Sequence, residues 1–112
     1  MAEDGVIELT ENADLTEIAS QNPAIIYKHS PACWMSSVSA RQIRKFVKKY
    51  PDTKVYWVDV IEQRDLSQRV AEHFAIEHES PQSIVVGDGR VLWHGSHGAV
   101  NVKKLAKAIS EE

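Results

Sequence analysis

Hydrophobic positions along this chain follow two alternating patterns, stripes that recur about every 3.6 residues and short unbroken apolar runs, and their order predicts the fold. Leu15, Ile18 and Ala19 fall at i, i+3, i+4 within 12–21, with Thr10 or Asn12 placed to cap a short helix and Pro23 just beyond its end. AIIYK at 24–28 carries two adjacent β-branched isoleucines and reads as a buried strand. After Pro31, Ile43, Phe46, Val47 and Tyr50 recur at i, i+3, i+4, i+7, so an amphipathic helix is expected up to Pro51. Arg41, Arg44, Lys45, Lys48 and Lys49 fall mostly on its other faces, near the end where cations complement the helix dipole, and a solvated face accounts for them.

KVYWVDV at 54–60 is a second strand, and Leu66, Val70, Ala71 and Phe74 mark one side of a helix beginning near Asp65. SIVV, the turn GDG at 87–89 and RVLWH then form a hairpin by their turn chemistry. Asn101 is placed to cap a last helix with Val102, Leu105, Ala106 and Ile109 on one face. The strand, helix and strand of 24–60 make a parallel pair joined by a right-handed crossover. From 24 onward the order is β-α-β-α-β-β-α, which is similar to that of the thioredoxin fold. A central mixed four-stranded sheet flanked by helices is therefore expected.

Composition narrows the function. One domain spanning 1–112 is expected, because 112 residues at 43% hydrophobic content suffice for a core. Residues 1–10 read as a loose N-terminal segment. Thirteen basic against sixteen acidic residues leave a net charge of −3 with no long like-charge block, which argues against nucleic acid as a partner. No apolar run approaches the about 20 residues a spanning helix needs, so no membrane association is expected. The opening MAEDG has no basic segment leading into an apolar run and does not read as a secretory signal. A single cysteine cannot form an internal disulfide, which fits a reducing compartment, and the cytoplasm is the expected location.

That cysteine, Cys33, lies in KHSPACWMSS where the first strand hands over to a helix. Unpaired N–H groups and the helix dipole favour an anion there, and cysteines so placed titrate below the free value of about 8.5. Lys28 and His29 are expected to add positive potential. Ser36 stands three residues on, one turn along the same face, where its hydroxyl can donate to a thiolate. The resulting Cys-x-x-Ser has no second thiol, so exchange stops at a mixed disulfide that an external thiol must resolve. A buried, inert cysteine is the alternative. Against it stand Pro31 two positions before, the polar neighbours and the strand-to-helix location. Ser80–Pro81 opens the third strand, where proline is tolerated in trans as a simple strand entry. In thioredoxin-like proteins a cis proline at this place faces the reactive cysteine, and the element order favours cis Pro81.

Two further readings concern ligands. His94, His97 and His29 suggest a Cys/His metal site, but His94-x-x-His97 only approaches the spacing of zinc sites and no second cysteine exists, so no metal is assigned. A [2Fe–2S] cluster on one cysteine per chain would need a dimer and two external thiols, and a redox-silent interaction module is the remaining class.

YKHSPAC, the serine at 36, VDVIEQRDLS, HESPQSIVV and VLWHGSHGAV together resemble the YtxJ-type family, the monothiol bacilliredoxins of the bacillithiol system, over 25–109. The resemblance implies removal of a low-molecular-weight thiol, bacillithiol or similar, from S-thiolated cytoplasmic proteins after disulfide stress, with that thiol as co-substrate and no bound cofactor. It makes Cys33 the nucleophile, Ser36 its non-thiol partner, and Ser80 with Pro81 the substrate-strand contact. The family pattern Cys-Pro-Ile-Ser is replaced here by Cys33-Trp34-Met35-Ser36. Trp34 is expected either to pack on a substrate or to shield the sulfur, and Lys28 and Arg41 are candidate contacts for an anionic thiol by charge alone.

Overall fold

The parallel pair predicted from 24–60 is the centre of the sheet. In the computed structural model, which describes residues 2–3 and 5–110, β1 (Ala2–Glu3) and β2 (Val6–Glu8) lead to α1 (Leu15–Ala19) and β3 (Ala24–His29). Then come α2 (Trp34–Lys49), β4 (Lys54–Asp59), α3 (Arg64–Phe74), β5 (Gln82–Gly87), β6 (Arg90–Ser96), a 3₁₀ turn (His97–Ala99) and α4 (Val102–Ser110). Among the described residues the sheet has six strands in the order β1-β2-β4-β3-β5-β6. β3 runs parallel to β4 and antiparallel to β5, so the sheet is mixed, as expected.

Two expectations are corrected at the N-terminal end. The sheet is wider than four strands because part of the segment read as loose pairs into it: Val6, Ile7 and Glu8 lie opposite Val55, Tyr56 and Trp57. Val6 is 2% exposed and joins the core formed by Phe46, Val47 and Val55. A three-residue strand is too short to show a period, but β4 would otherwise leave an edge unpaired. The first helix is also shorter than 12–21. Its cap is Asp14, whose carboxylate accepts the Glu17 N–H at 3.1 Å, and neither Thr10 nor Asn12 fills that place. Elsewhere the local chemistry holds. Asp88 (φ 54°) and Gly89 (φ 79°) are both left-handed, the type I′ geometry of a two-residue hairpin, and Asn101 Oδ1 accepts the Lys104 N–H at 2.9 Å to cap α4.

Strand alternation divides the core. Ile25 and Tyr27 of β3 pack with Ile43 and Phe46 of α2 and Leu105 of α4, whereas Ala24 and Ile26 pack with Leu15, Leu66 and Val70 of α1 and α3. At the far end of β3 the chain turns into α2, and β5 begins beside it because Gln82 pairs with Lys28.

Truncating Val6→Ala removes buried methyl groups and should lower stability by about 2 kcal/mol in denaturant unfolding. A midpoint within error of the parent would return this segment to a loose tail.

Candidate active site around Cys33

Cys33 is the N-cap of α2, with φ −113° and ψ 126°, and its side chain makes no capping hydrogen bond. Its N–H donates to Ser30 O at 3.1 Å, and its own carbonyl accepts the Ser36 N–H at 3.0 Å. The thiol is therefore partly exposed at the positive end of a 16-residue helix whose inner face, Ser36, Ser39, Ala40 and Ile43, is buried. Such a position leaves the sulfur open to attack or be attacked.

Ser36 is fully buried, and its hydroxyl oxygen accepts the Ser30 N–H at 3.2 Å. The bond expected from Ser36 to the sulfur is not formed. The hydroxyl is turned toward the loop that enters the helix, where its oxygen satisfies a backbone N–H. Ser36 thus holds the 30–33 turn in place.

Beneath this turn lies a cluster the sequence reading did not assemble. Tyr27 is fully buried; its hydroxyl donates to Ser36 O at 3.3 Å and meets His29 Nδ1 at 3.0 Å. One hydroxyl proton serves one acceptor, so with Ser36 O taking it, His29 donates from Nδ1. Burial pushes the Tyr27 phenol far above its ordinary value, against the Arg44 charge, and negative charge on Cys33 adds to the rise. Tyr27 remains a neutral donor that feels the sulfur. His29 and Tyr27 both pack on Trp57, with centroids 4.6 Å and 4.9 Å away, and Arg44 lies over the same indole at 5.6 Å. Burial lowers the His29 pKa, partly offset by Asp59 and reinforced by Arg44. His29 is therefore neutral at pH 7 and does not supply the positive potential expected of it. The available signal was a single hydroxylated aromatic in an otherwise aliphatic strand run, which when buried needs a polar partner.

The remaining predicted residues separate. Trp34 is the first residue of α2 and 74% exposed, so it stands out beside Cys33 and packs on little of the protein. Ser80–Pro81 is cis; Pro81 is buried and its carbonyl accepts the His97 N–H at 2.9 Å. Extending the pairing of Lys28 with Gln82 brings Pro81 and Ser80 level with His29 and Ser30, and Ser80 Oγ is buried without a partner. Lys28 is the clear correction. Its side chain is fully buried, and its Nζ lies 3.1 Å from His78 Nδ1, so it is not presented to a substrate at Cys33. Alternation along β3 explains this, since Tyr27 faces α2 and the next residue must face α3. Arg41 is exposed on α2. His97 Nδ1 lies 3.6 Å from Glu79 Oε1, and among the described residues no three His, Cys, Asp or Glu side chains gather as a metal site.

A sheet of this topology with a partly exposed cysteine capping the helix after β3 defines a thiol–disulfide oxidoreductase of the thioredoxin fold. Within that class the chain belongs to the monothiol bacilliredoxin BrxC family, whose family model matches residues 7–105. A solved thioredoxin-fold protein named for a proposed oxidoreductase role is 34% identical, with a TM-score of 0.82 over 96% of this chain and 94% of its own. At the level of fold, Trypanosoma brucei brucei thioredoxin superposes with a TM-score of 0.76 at 15% identity, covering 95% of this chain and 88% of that one. Mitochondrial thioredoxin 3 from Saccharomyces cerevisiae gives 0.73 at 20% identity, covering 98% and 100%. No helix among the described residues is long and apolar enough to cross a membrane.

Tyr27→Phe deletes the hydroxyl that ties Ser36 O and His29 together and should cost about 1–2 kcal/mol by chemical unfolding; an unchanged midpoint would show the two bonds to be idle. Burial holds the Lys28 ammonium down to about 8, below its ordinary 10.5. Between those values the folded chain has lost a proton that the unfolded chain keeps, so stability rises with pH across the window. Lys28→Met should abolish that rise and be more stable than the parent at pH 7. Denaturant midpoints at pH 7 and pH 9.5 test this, and a variant that is weaker at pH 7 would contradict it.

Proposed function

We propose that this protein removes a low-molecular-weight thiol, bacillithiol or one like it, from mixed disulfides on cytoplasmic proteins. The observation that carries the reading is the placement of one partly exposed cysteine at the N-cap of α2, with a buried serine where a resolving thiol would stand. Membership of a monothiol family supports it. The Cys33 thiolate attacks the small-thiol sulfur of the mixed disulfide; the sulfur–sulfur bond to the client breaks, and the client leaves as a thiolate that takes a proton from water. A second small thiol, ionised, attacks the same sulfur in the Cys33 adduct. That step restores the Cys33 thiolate and releases the symmetric small disulfide, which a separate reductant must return to thiol.

The chain supplies three things to this exchange. The N-terminal N–H groups of α2 stabilise negative charge on Cys33 as it departs in the second step. Tyr27 and Ser36 fix the turn that aims it. Trp34 offers an exposed aromatic face beside the sulfur, and the buried, unpartnered Ser80 hydroxyl lies at the same sheet end. Lys28 is not a direct contact in this scheme.

Non-reducing intact mass after mixing with a bacillithiol-capped client protein tests the reading. The parent should acquire one reductant-labile adduct of the small thiol, and Cys33→Ser none. Ser36→Cys sets a second thiol one turn along, and its adduct should give way to an internal disulfide. A parent cysteine that stays free while the client disulfide persists would overturn the proposal.

A further inference from the structure

Lys28, withdrawn from the sulfur, poses a separate question. Its side chain is wholly buried on the α3 side of the sheet, with Nζ 3.1 Å from His78 Nδ1. No acidic side chain among the described residues pairs with it; Glu79, which bears on His78, is instead held near His97 at 3.6 Å and Ser96 at 3.4 Å. A buried ammonium without a counter-charge costs stability that an apolar residue of the same shape would not. Within the described residues that charge meets no opposite one.

The geometry shows how that charge is presented. An ammonium can only donate, so Nδ1 of His78 must accept and the imidazole proton sits on Nε2. His78 is exposed and, with Ser67 and Arg64, lines a cleft of about 350 Å³ between α3 and the segment leading to Pro81. Ser67 Oγ lies 3.4 Å from the same Nδ1. Gln68 completes the polar wall, Val60 and Ile61 form an apolar flank, and no acidic residue lines the space. The cleft lies within the size range of small-ligand sites, about 300–1,000 Å³. It also lies at the Cys33 end of the sheet, since His29 O accepts the Val60 N–H at 2.9 Å and His78 is two residues before Ser80.

We infer that this cleft binds a small carboxylate-bearing molecule, with His78, Ser67 and Arg64 as its contacts and Lys28 as the charge behind His78. The carboxylate belongs either to a free dicarboxylate or to the acid end of the thiol exchanged at Cys33. The second source rests on the function proposed above; the site itself does not.

Malate is the probe, titrated into the full chain at fixed ionic strength while the backbone amide resonances of Ile61, Arg64, Ser67 and Gln68, which line the cleft, are followed. A saturable shift is expected with malate and not with its dimethyl ester, weakened about tenfold in Lys28→Met and lost in His78→Ala. A shift that does not saturate, that the ester reproduces, or that Lys28→Met leaves intact would overturn the proposal. The sources separate in the rate of adduct formation at Cys33. If the acid end is the occupant, His78→Ala raises KM for bacillithiol disulfide with kcat unchanged and leaves reaction with cystamine, which has no carboxylate, as it was. If malate binds and both disulfides react as before, the cleft serves a free carboxylate. Failure of Cys33 to form any adduct would remove the proposed function alone, because the malate titration is made on the resting protein.

Discussion

The site depends on how the first turn of α2 is fastened to β3. A helix N-terminus is useful to a thiolate only if its unpaired N–H groups are held in one place, and the loop of 30–33 has no regular structure to hold them. Two buried hydroxyls do so from opposite sides of the turn. Ser36 Oγ reaches back to the Ser30 N–H, and Tyr27 reaches up to the Ser36 carbonyl from the strand below. Because Tyr27 packs edge-on to Trp57, and Ile43 and Phe46 are both fully buried, the turn is continuous with the main core. The reactive residue itself can then stay partly exposed without loosening.

This arrangement also explains what a serine does in place of a resolving thiol. A second cysteine at 36 would compete for the sulfur; a buried hydroxyl cannot, yet it satisfies the backbone of the turn. The lack of a second thiol at this position and the rigidity of the turn come from the same side chain. Trp34, the departure from the family pattern, does not upset this. At 74% exposure it stands outside the turn and takes no part in holding it.

What the sequence disclosed follows from where periodicity exists. The helices α2, α3 and α4 each present one apolar face, and the hairpin carries its own turn chemistry, so these were legible, as was the strand-to-helix setting of Cys33. β3 behaves differently. It is buried on both faces, so AIIYK shows no alternation, and nothing local tells that Tyr27 and Lys28 point to opposite layers. Charge suggested an exposed Lys28 near the sulfur; parity along the strand sends it to the other side. The Ser36 position was correctly placed one turn from Cys33, but its partner depended on a loop whose conformation no pattern encodes. β2 was missed because three residues are too few for either period.

Parity along β3 has a functional consequence. Adjacent residues of one strand serve two separate environments: Tyr27 supports the sulfur from the α2 layer, and Lys28 charges the α3 layer through His78. The sheet lies between them, so desolvating the lysine does not place a cation against the sulfur. The two layers meet only at the end of the sheet, where β5 enters beside β3 and β4 hands over to α3. Were the cleft to hold a carboxylate as inferred above, a molecule long enough to reach both would meet charge on one side of that end and sulfur on the other.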